Sequence, residues 1–186
     1  LFMSISVKKV SWILDADLKA FFDTLNHDWL MKFLGHRIAD PRILRLVKGW
    51  LSAGVMDGKE KHKTHEGTPQ GAVISPLLAN IYLHYVLDLW VHQWRKRYAT
   101  GEIYIVRYAD DFVIGAQYQR EANALLRVLK QRLHNFSLKL NEEKTKLIEF
   151  GRFARSNRKE RRQPKPETFD FLGFTHICGE RRSDGG

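Results

Sequence analysis

Sulfur chemistry is nearly absent from this chain of 186 residues: one cysteine, Cys178, accompanies three methionines. A single thiol excludes an internal disulfide and suits a reducing compartment, so a cytoplasmic setting is expected. Long apolar runs are missing too, and none approaches the roughly 20 residues that span a bilayer. The opening Leu1-Phe2-Met3-Ser4 is not a charged region followed by a long apolar stretch, so no signal peptide is expected. There is no internal repeat or low-complexity tract. His62 and His65 lie close together but have no cysteine pair to match, which argues against zinc. Acid is in short supply. Asp and Glu total 21 against 31 Lys and Arg, a net charge of +10 that favours phosphate-rich partners. What remains is sufficient for a core: 44% hydrophobic residues, including five Trp, in a length that suits one domain or part of one. The first residue is Leu and the last four are Ser183-Asp184-Gly185-Gly186, so a piece of something longer is expected.

Val10 to Ala16 reads as a buried strand that delivers Asp15 and Asp17 at its end. Asp17 to Asp23 turns into a helix, and Asp28 is a candidate cap for the segment from Trp29 to Phe33. Asp40-Pro41 is a stronger helix start, followed by Ile43, Leu44, Leu46, Val47, Trp50 and Leu51 at helical spacing, with Gly54 as the stop. Asp57-Gly58 predicts a tight hairpin, 59–65 an exposed segment and Gly67 to Gly71 a loop. Ser75-Pro76 begins a helix expected to reach about Arg97, with Ser75 as its cap. Leu77, Ile81, Tyr85 and Leu89 form its stripe, widened by Leu78, Tyr82 and Val86. Two strands follow, Ile103 to Val106 and Phe112 to Ala116, and then a helix from about Arg120 to Phe136. Leu138 to Leu140 and Leu147 to Phe150 read as short strands around Asn141 to Lys144. Gly151 to Pro166 reads as a basic loop, with seven Lys or Arg against one Glu, and Phe169 to Phe174 as a last strand pair or turn. Antiparallel strands with helices packed on one face make an α+β sandwich of ferredoxin-like type.

Between the two central strands lie Tyr108, Ala109, Asp110 and Asp111. Adjacent carboxylates at a hairpin tip are costly unless a cation neutralises them, although Asp is also common in solvated turns. The ferredoxin-like layout sets the end of the first strand beside that tip, so Asp15 or Asp17 would face Asp110 and Asp111. Magnesium, whose preferred ligands are carboxylate and phosphate oxygens, would relieve the repulsion.

Four blocks resemble a known family. They are Trp12 to Asp23 (WILDADLKAFFD), Gly67 to His84 (GTPQGAVISPLLANIYLH), Arg107 to Asp111 (RYADD), and Leu140 to Lys146 (LNEEKTK) with Phe169 to Phe174. Over about Trp12 to Phe174 the chain resembles the reverse transcriptases of group II introns, which also act as maturases. The resemblance implies a polymerase palm with a remnant of the fingers in a single domain over residues 1–186, the thumb and maturase regions being absent. It implies RNA-directed DNA synthesis by transfer of deoxynucleotides to a primer 3′-hydroxyl, with two magnesium ions roughly 3.5–4 Å apart. Asp17, Leu18, Asp110 and Asp111 make the implied metal set, and Asp15 is either a rival to Asp17 or an outer group. Phe22 matches the aromatic gate that excludes a 2′-hydroxyl. Either Phe21 or Phe22 is expected in the core, and that position is assigned to Phe21. Pro69, Gln70 and Gly71, with Tyr108 and Ala109, match substrate-binding positions, where glycine permits close approach and Gln70 offers donor and acceptor. Asn80 reaches either the nucleotide or a backbone carbonyl.

Lys144 matches a lysine near the leaving pyrophosphate, with an exposed structural lysine as the alternative. Arg107 is a candidate salt-bridge partner for the hairpin acids. Arg152, Arg155, Arg158, Lys159, Arg161 and Arg162 are expected to contact template or intron RNA phosphates, against the alternative of a solvated loop. The implied partners are an RNA template, a DNA or RNA primer, deoxynucleoside triphosphates and intron RNA, with no membrane. Two competing readings stand beside this one: a non-catalytic RNA-binding maturase remnant, and a reverse transcriptase of another bacterial lineage such as retrons or CRISPR loci.

Overall fold

A computed structural model of the chain describes residues 8–52, 55–57, 60–62 and 74–179, with only the backbone described for 55–57 and 60–62. The described chain divides into two compact units. One is built from the chain up to Asp17, Arg95–Arg127 and the chain from Glu142 on; the other is built from Leu18–Trp94 and Val128–Asn141.

The first unit holds a four-stranded antiparallel sheet made of β1 (Trp12–Ala16), β4 (Ile103–Tyr108), β5 (Asp111–Ala116) and β6 (Lys146–Glu149). Its order is β4-β5-β1-β6, so the first strand in the chain lies between the third and the fourth. That is the α+β arrangement expected of a ferredoxin-like fold. Alternation explains why β1 is central: Leu14 and Ala16 bury one face and Ile13 the other, and all three are almost fully buried. Ile13 joins Val10, Val113, Ile148, Phe150, Phe169 and Phe171 in a core cluster. Full burial of side chains of this size contributes about 1.5–3 kcal/mol each. The two phenylalanines at positions 169 and 171 come from a small hairpin, β7 (Phe169–Phe171) and β8 (Phe174–His176), which realises the expected last strand pair. Cys178 packs at the edge of this cluster, where burial raises its thiol pKa.

Gly151 follows β6 with φ of +103°, and a Cβ there would come within 2.5 Å of the Val10 carbonyl oxygen, so only glycine fits. The segment after it is not the loop expected from its charge. Ala154–Glu160 forms a helix, α7, that buries Ala154. Charge density predicted solvation, but one small apolar residue and an ion pair anchor the turn. Arg161 pairs through Nη2 with Glu149, whose carboxylate is buried on β6.

The second unit is mainly helical: α1 (Phe21–Thr24), α2 (His27–Gly35), α3 (Pro41–Ser52), and α4 (Ser75–Leu83) continuing into a π-helical turn over His84–Asp88. β2 (Val55–Asp57) and β3 (Glu60–His62) pair antiparallel on either side of the turn expected at Asp57-Gly58, of which Gly58 lies outside the described residues. Two helices, α5 (Leu89–Tyr98) and α6 (Gln119–His134), each contribute to both units. Aromatic rings fill the core of the helical unit. Phe33 stacks on Tyr85 at 4.8 Å and meets Tyr82 edge-on at 5.4 Å, while the buried Tyr82 hydroxyl donates to the Phe136 carbonyl at 2.7 Å.

Several local expectations change. Asn26, not Asp28, caps α2, its side chain accepting from the Trp29 N–H at 3.0 Å. Asp40 does cap α3, accepting from the Arg42 N–H at 2.8 Å. Ser75 is the first helical residue and Ile74 the cap position. Leu138 to Leu140 is not a strand; Leu140 makes only an isolated bridge to Leu18. The long helix from Ser75 is interrupted by the π turn, whose extra residue rotates everything after it. Leu87 is consequently buried, while Leu89 is exposed, as is Leu77 at the start of the expected stripe. Arg132 donates from Nη2 to the Tyr85 carbonyl and from Nε to the Val86 carbonyl at 3.2 and 3.1 Å, satisfying groups in the widened turn. On α3 only Val47 and Leu51 are buried; Ile43, Leu46 and Trp50 are exposed.

Candidate active site

The site is set by strand register. In the β1–β5 pairing Ala16 lies opposite Phe112, so the next position brings Asp17 alongside Asp111. In the β1–β6 pairing Asp15 lies opposite Lys146, so two positions on Asp17 meets Lys144. That alignment is realised as an ion pair, Lys144 Nζ to Asp17 Oδ2 at 3.1 Å. Asp17 therefore sits between an acid on one side and an ammonium on the other. Asp15 shares its face of the strand two residues back, opposite Lys146.

The hairpin tip is tighter than the four-residue turn expected. Tyr108 pairs with Asp111, leaving Ala109 and Asp110 as the two turn residues. Ala109 takes the left-handed conformation, φ 53°, a positive angle that the first central position of a II′ turn requires. Arg107 donates from Nη1 to the Ala109 carbonyl at 2.8 Å and so holds the bend. Tyr108 projects outward, 67% exposed.

These observations can be set beside known proteins. The family described as "Reverse transcriptase (RNA-dependent DNA polymerase)" matches residues 3–176. The chain belongs to the reverse transcriptase family. Among its relatives, the group II intron-encoded protein LtrA of Lactococcus lactis subsp. cremoris is 40% identical over 87 residues, covering 47% of this chain and 14% of that protein. Protein YkfC of Escherichia coli (strain K12) is 34% identical over 167 residues, covering 73% of this chain and 43% of that one. The chain thus spans less than half the length of these relatives. In solved structures the fold resembles apo telomerase from Candida tropicalis, with a TM-score of 0.68 at 15% identity over 91% of this chain and 32% of that one. At that identity the likeness shows the fold alone.

Electrostatics distinguish the acids of this candidate site. Burial, then the neighbouring Asp110 and Asp17, raise the pKa of Asp111, with Lys144 opposing. Asp15 is pushed up to about 6, by burial first and then by Asp111, with Lys146 opposing. Lys144 is raised by its hydrogen bond to Asp17 and by the surrounding carboxylates. The acids are crowded and incompletely neutralised. Among the described residues no three His, Cys, Asp or Glu side chains come together as a ready-made metal cage. The donor set still fits magnesium, which takes one or two carboxylates and completes its octahedron with water and substrate phosphate. The mutual repulsion of Asp17, Asp110 and Asp111 is what a cation would remove.

The other candidate residues are placed as follows. Phe21 is 2% exposed and takes the core position, while Phe22 on α1 is half-buried with its ring 5.4 Å from that of Phe21. Leu18 is buried and its hydrocarbon side chain has no donor atom, so its backbone carbonyl is its only potential ligand. Pro69, Gln70 and Gly71 lie outside the described residues. Asn80 donates to the Pro76 carbonyl at 3.0 Å, the backbone alternative. Arg152, Arg155, Lys159 and Arg162 are exposed around α7. Arg158 bonds the Pro164 carbonyl through Nε at 2.8 Å, and Arg161 is held by Glu149. Sequence reasoning missed Lys146. Its spacing of two from Lys144, matching that of Asp15 and Asp17, was the available signal. It also missed Glu149, whose acidic side chain gave no hint of burial.

Proposed function

We propose that this chain is a reverse transcriptase palm of group II intron type, with partial fingers, forming a single reverse transcriptase domain that adds deoxynucleotides to a primer 3′-hydroxyl on an RNA template. The observation that carries the reading is the position of Asp17 in the sheet register, between Asp111 and Lys144. Asp17, Asp110 and Asp111 would hold two magnesium ions, with the Leu18 carbonyl as a further oxygen. Bound magnesium supplies activation of the 3′-hydroxyl and charge neutralisation on the triphosphate. Lys144, whose ammonium lies against Asp17, supplies positive charge or a proton to the departing pyrophosphate from Nζ. Phe22 excludes a 2′-hydroxyl, and Pro69, Gln70, Gly71, Tyr108 and Ala109 line the nucleotide and template. Arg152, Arg155, Arg158, Lys159 and Arg162 attract RNA phosphates, whereas Arg161 acts through Glu149 to anchor α7. The partners are template and intron RNA, primer and deoxynucleoside triphosphates in the cytoplasm. Among the described residues no helix is long and apolar enough to cross a membrane.

Primer extension on poly-rA with oligo-dT and magnesium tests the proposal. Extension by the wild-type chain and its loss in Asp110→Ala, with the unfolding midpoint unchanged, is the expected result. Undiminished extension by Asp110→Ala overturns the catalytic assignment. No extension by the wild type, together with salt-sensitive RNA binding, replaces it with a non-catalytic RNA binder.

A further inference from the structure

The end of the β4–β5 hairpin remote from the acids has the opposite character. The last turn of α5, the loop at Ala99–Gly101 that leads into β4, and the start of α6 meet there. The Gln117 N–H donates to the Glu102 carbonyl at 2.9 Å, Arg120 Nη2 donates to Thr100 Oγ1 at 3.2 Å, and Ala99 N–H bonds the Arg95 carbonyl at 3.3 Å. Two tyrosines are left on the surface, Tyr98 at 66% and Tyr118 at 42% exposure. The guanidinium of Arg120 lies over the Tyr118 ring, 5.6 Å from its centroid. Lys96, Arg97 and Arg120 are all exposed. The two local carboxylates are turned mainly to structural use. Glu121 is 6% exposed and bonds Thr100 and Gly101, with Arg120 as a weaker charge neighbour, and Glu102 accepts from the Lys9 N–H at 3.0 Å. Cations with interleaved exposed aromatics, and with local acids turned to structural use, are the chemistry that grips unpaired nucleotides. Phosphates meet the charges and bases stack on the rings.

We infer that Lys96, Arg97, Tyr98, Tyr118 and Arg120 form a second docking surface, for single-stranded RNA. Each strand of the hairpin has six residues. At about 3.3 Å per residue, the surface lies on the order of 20 Å from the acidic tip. It therefore holds a stretch of RNA distinct from the nucleotide being copied. The choice of RNA over DNA rests on the proposed function; the surface itself rests on geometry and charge.

Fluorescence anisotropy with a labelled 20-nucleotide unstructured RNA tests this, using the full chain. Lys96→Ala/Arg97→Ala/Arg120→Ala is expected to weaken binding at least tenfold. It should also flatten the slope of log affinity against log salt by about 2, since each phosphate contact on a single strand contributes about 0.7. Tyr98→Leu and Tyr118→Leu, which keep apolar bulk, are each expected to weaken binding roughly 5- to 100-fold through loss of a stacked base. Extension of a short poly-rA/oligo-dT substrate should be unchanged in all of these. Asp110→Ala should do the reverse, sparing RNA binding and abolishing extension, so the two proposals fail separately. Wild-type affinity and salt slope in the triple variant overturn the surface. Equal binding of a fully paired RNA hairpin overturns the stacking assignment, and tighter binding of the matching DNA strand overturns RNA as the partner.

Discussion

Carboxylates stand at both ends of the β4–β5 hairpin, Glu121 of α6 at its base and Asp111 at its tip, in opposite conditions. At its base, burial raises the pKa of Glu121, but hydrogen bonds from Thr100 and Gly101 outweigh it and hold the carboxyl below its ordinary range. Those donors are the Thr100 N–H at 2.8 Å, the Thr100 hydroxyl at 2.6 Å and the Gly101 N–H at 3.2 Å. At the tip, Asp111 is raised by burial and by two neighbouring acids, with one lysine opposing. Glu121 has its hydrogen-bond donors within the fold and serves to pin a loop. Asp111 has the opposing charge of Lys144 against two neighbouring acids, and an added cation would complete the compensation. The state of satisfaction of a carboxylate, more than its exposure, separates the structural acid from the candidate catalytic one.

Breaking the satisfied end should cost most. Glu121→Ala removes the buried acceptor of the part-buried Thr100 and Gly101 donors, and a loss of about 2 kcal/mol is expected, since hydrogen bonds to charged groups contribute about 1.5–3 kcal/mol each and the exposed Thr100 regains water. Urea unfolding at pH 7 measures it. A carboxyl whose pKa is lowered on folding adds stability above its unfolded value. The gap between wild type and variant should therefore narrow as pH falls below 4.5, the ordinary value for this group.

The crowded end should respond with the opposite sign. Asp15, raised from 3.8 to about 6, binds its proton more tightly in the folded chain. Without added metal, wild-type stability should therefore fall as pH rises from about 4 to 6. Asp15→Asn should reduce that slope, leaving the part due to the raised Asp111, and gain about 1 kcal/mol at pH 7, a value discounted for the solvent screening of a half-exposed group. Thermal unfolding across this pH range decides it, and a variant with the wild-type slope contradicts the assignment. The smallest effect belongs to the turn itself. Ala109→Gly relieves left-handed strain of about 1–2 kcal/mol but frees the unfolded chain, leaving a net gain of about 0.5 kcal/mol in the same measurement.

Local patterns made much of this molecule readable beforehand. The run Trp12 to Ala16 had the apolar content of a central strand and became one. The short β-rich segments flanking Asp110 required a hairpin, and the chain order of strands and helices implied the sheet order that is observed. The helix at Ala154–Glu160 was not legible, because its charge argued for solvent while a single buried alanine and the Glu149 pair decided otherwise. The π turn at His84–Asp88 was hidden for a related reason: its sequence is ordinary helix former, and Arg132, 46 and 47 residues away, caps the carbonyls of the widened turn.

By itself, then, the sequence determined the central strands of the sheet, which residues make the acidic tip, and that Asp15 and Asp17 share one strand face, since alternation and turn chemistry act over a few residues. Tertiary structure alone decided the partners of the acids: Lys144 on Asp17, Lys146 opposite Asp15, and the Thr100 and Gly101 donors around Glu121. These pairings join segments separated by up to 131 positions in the Asp15–Lys146 alignment. Electrostatic partnership depends on distance in space, and no local pattern encodes it.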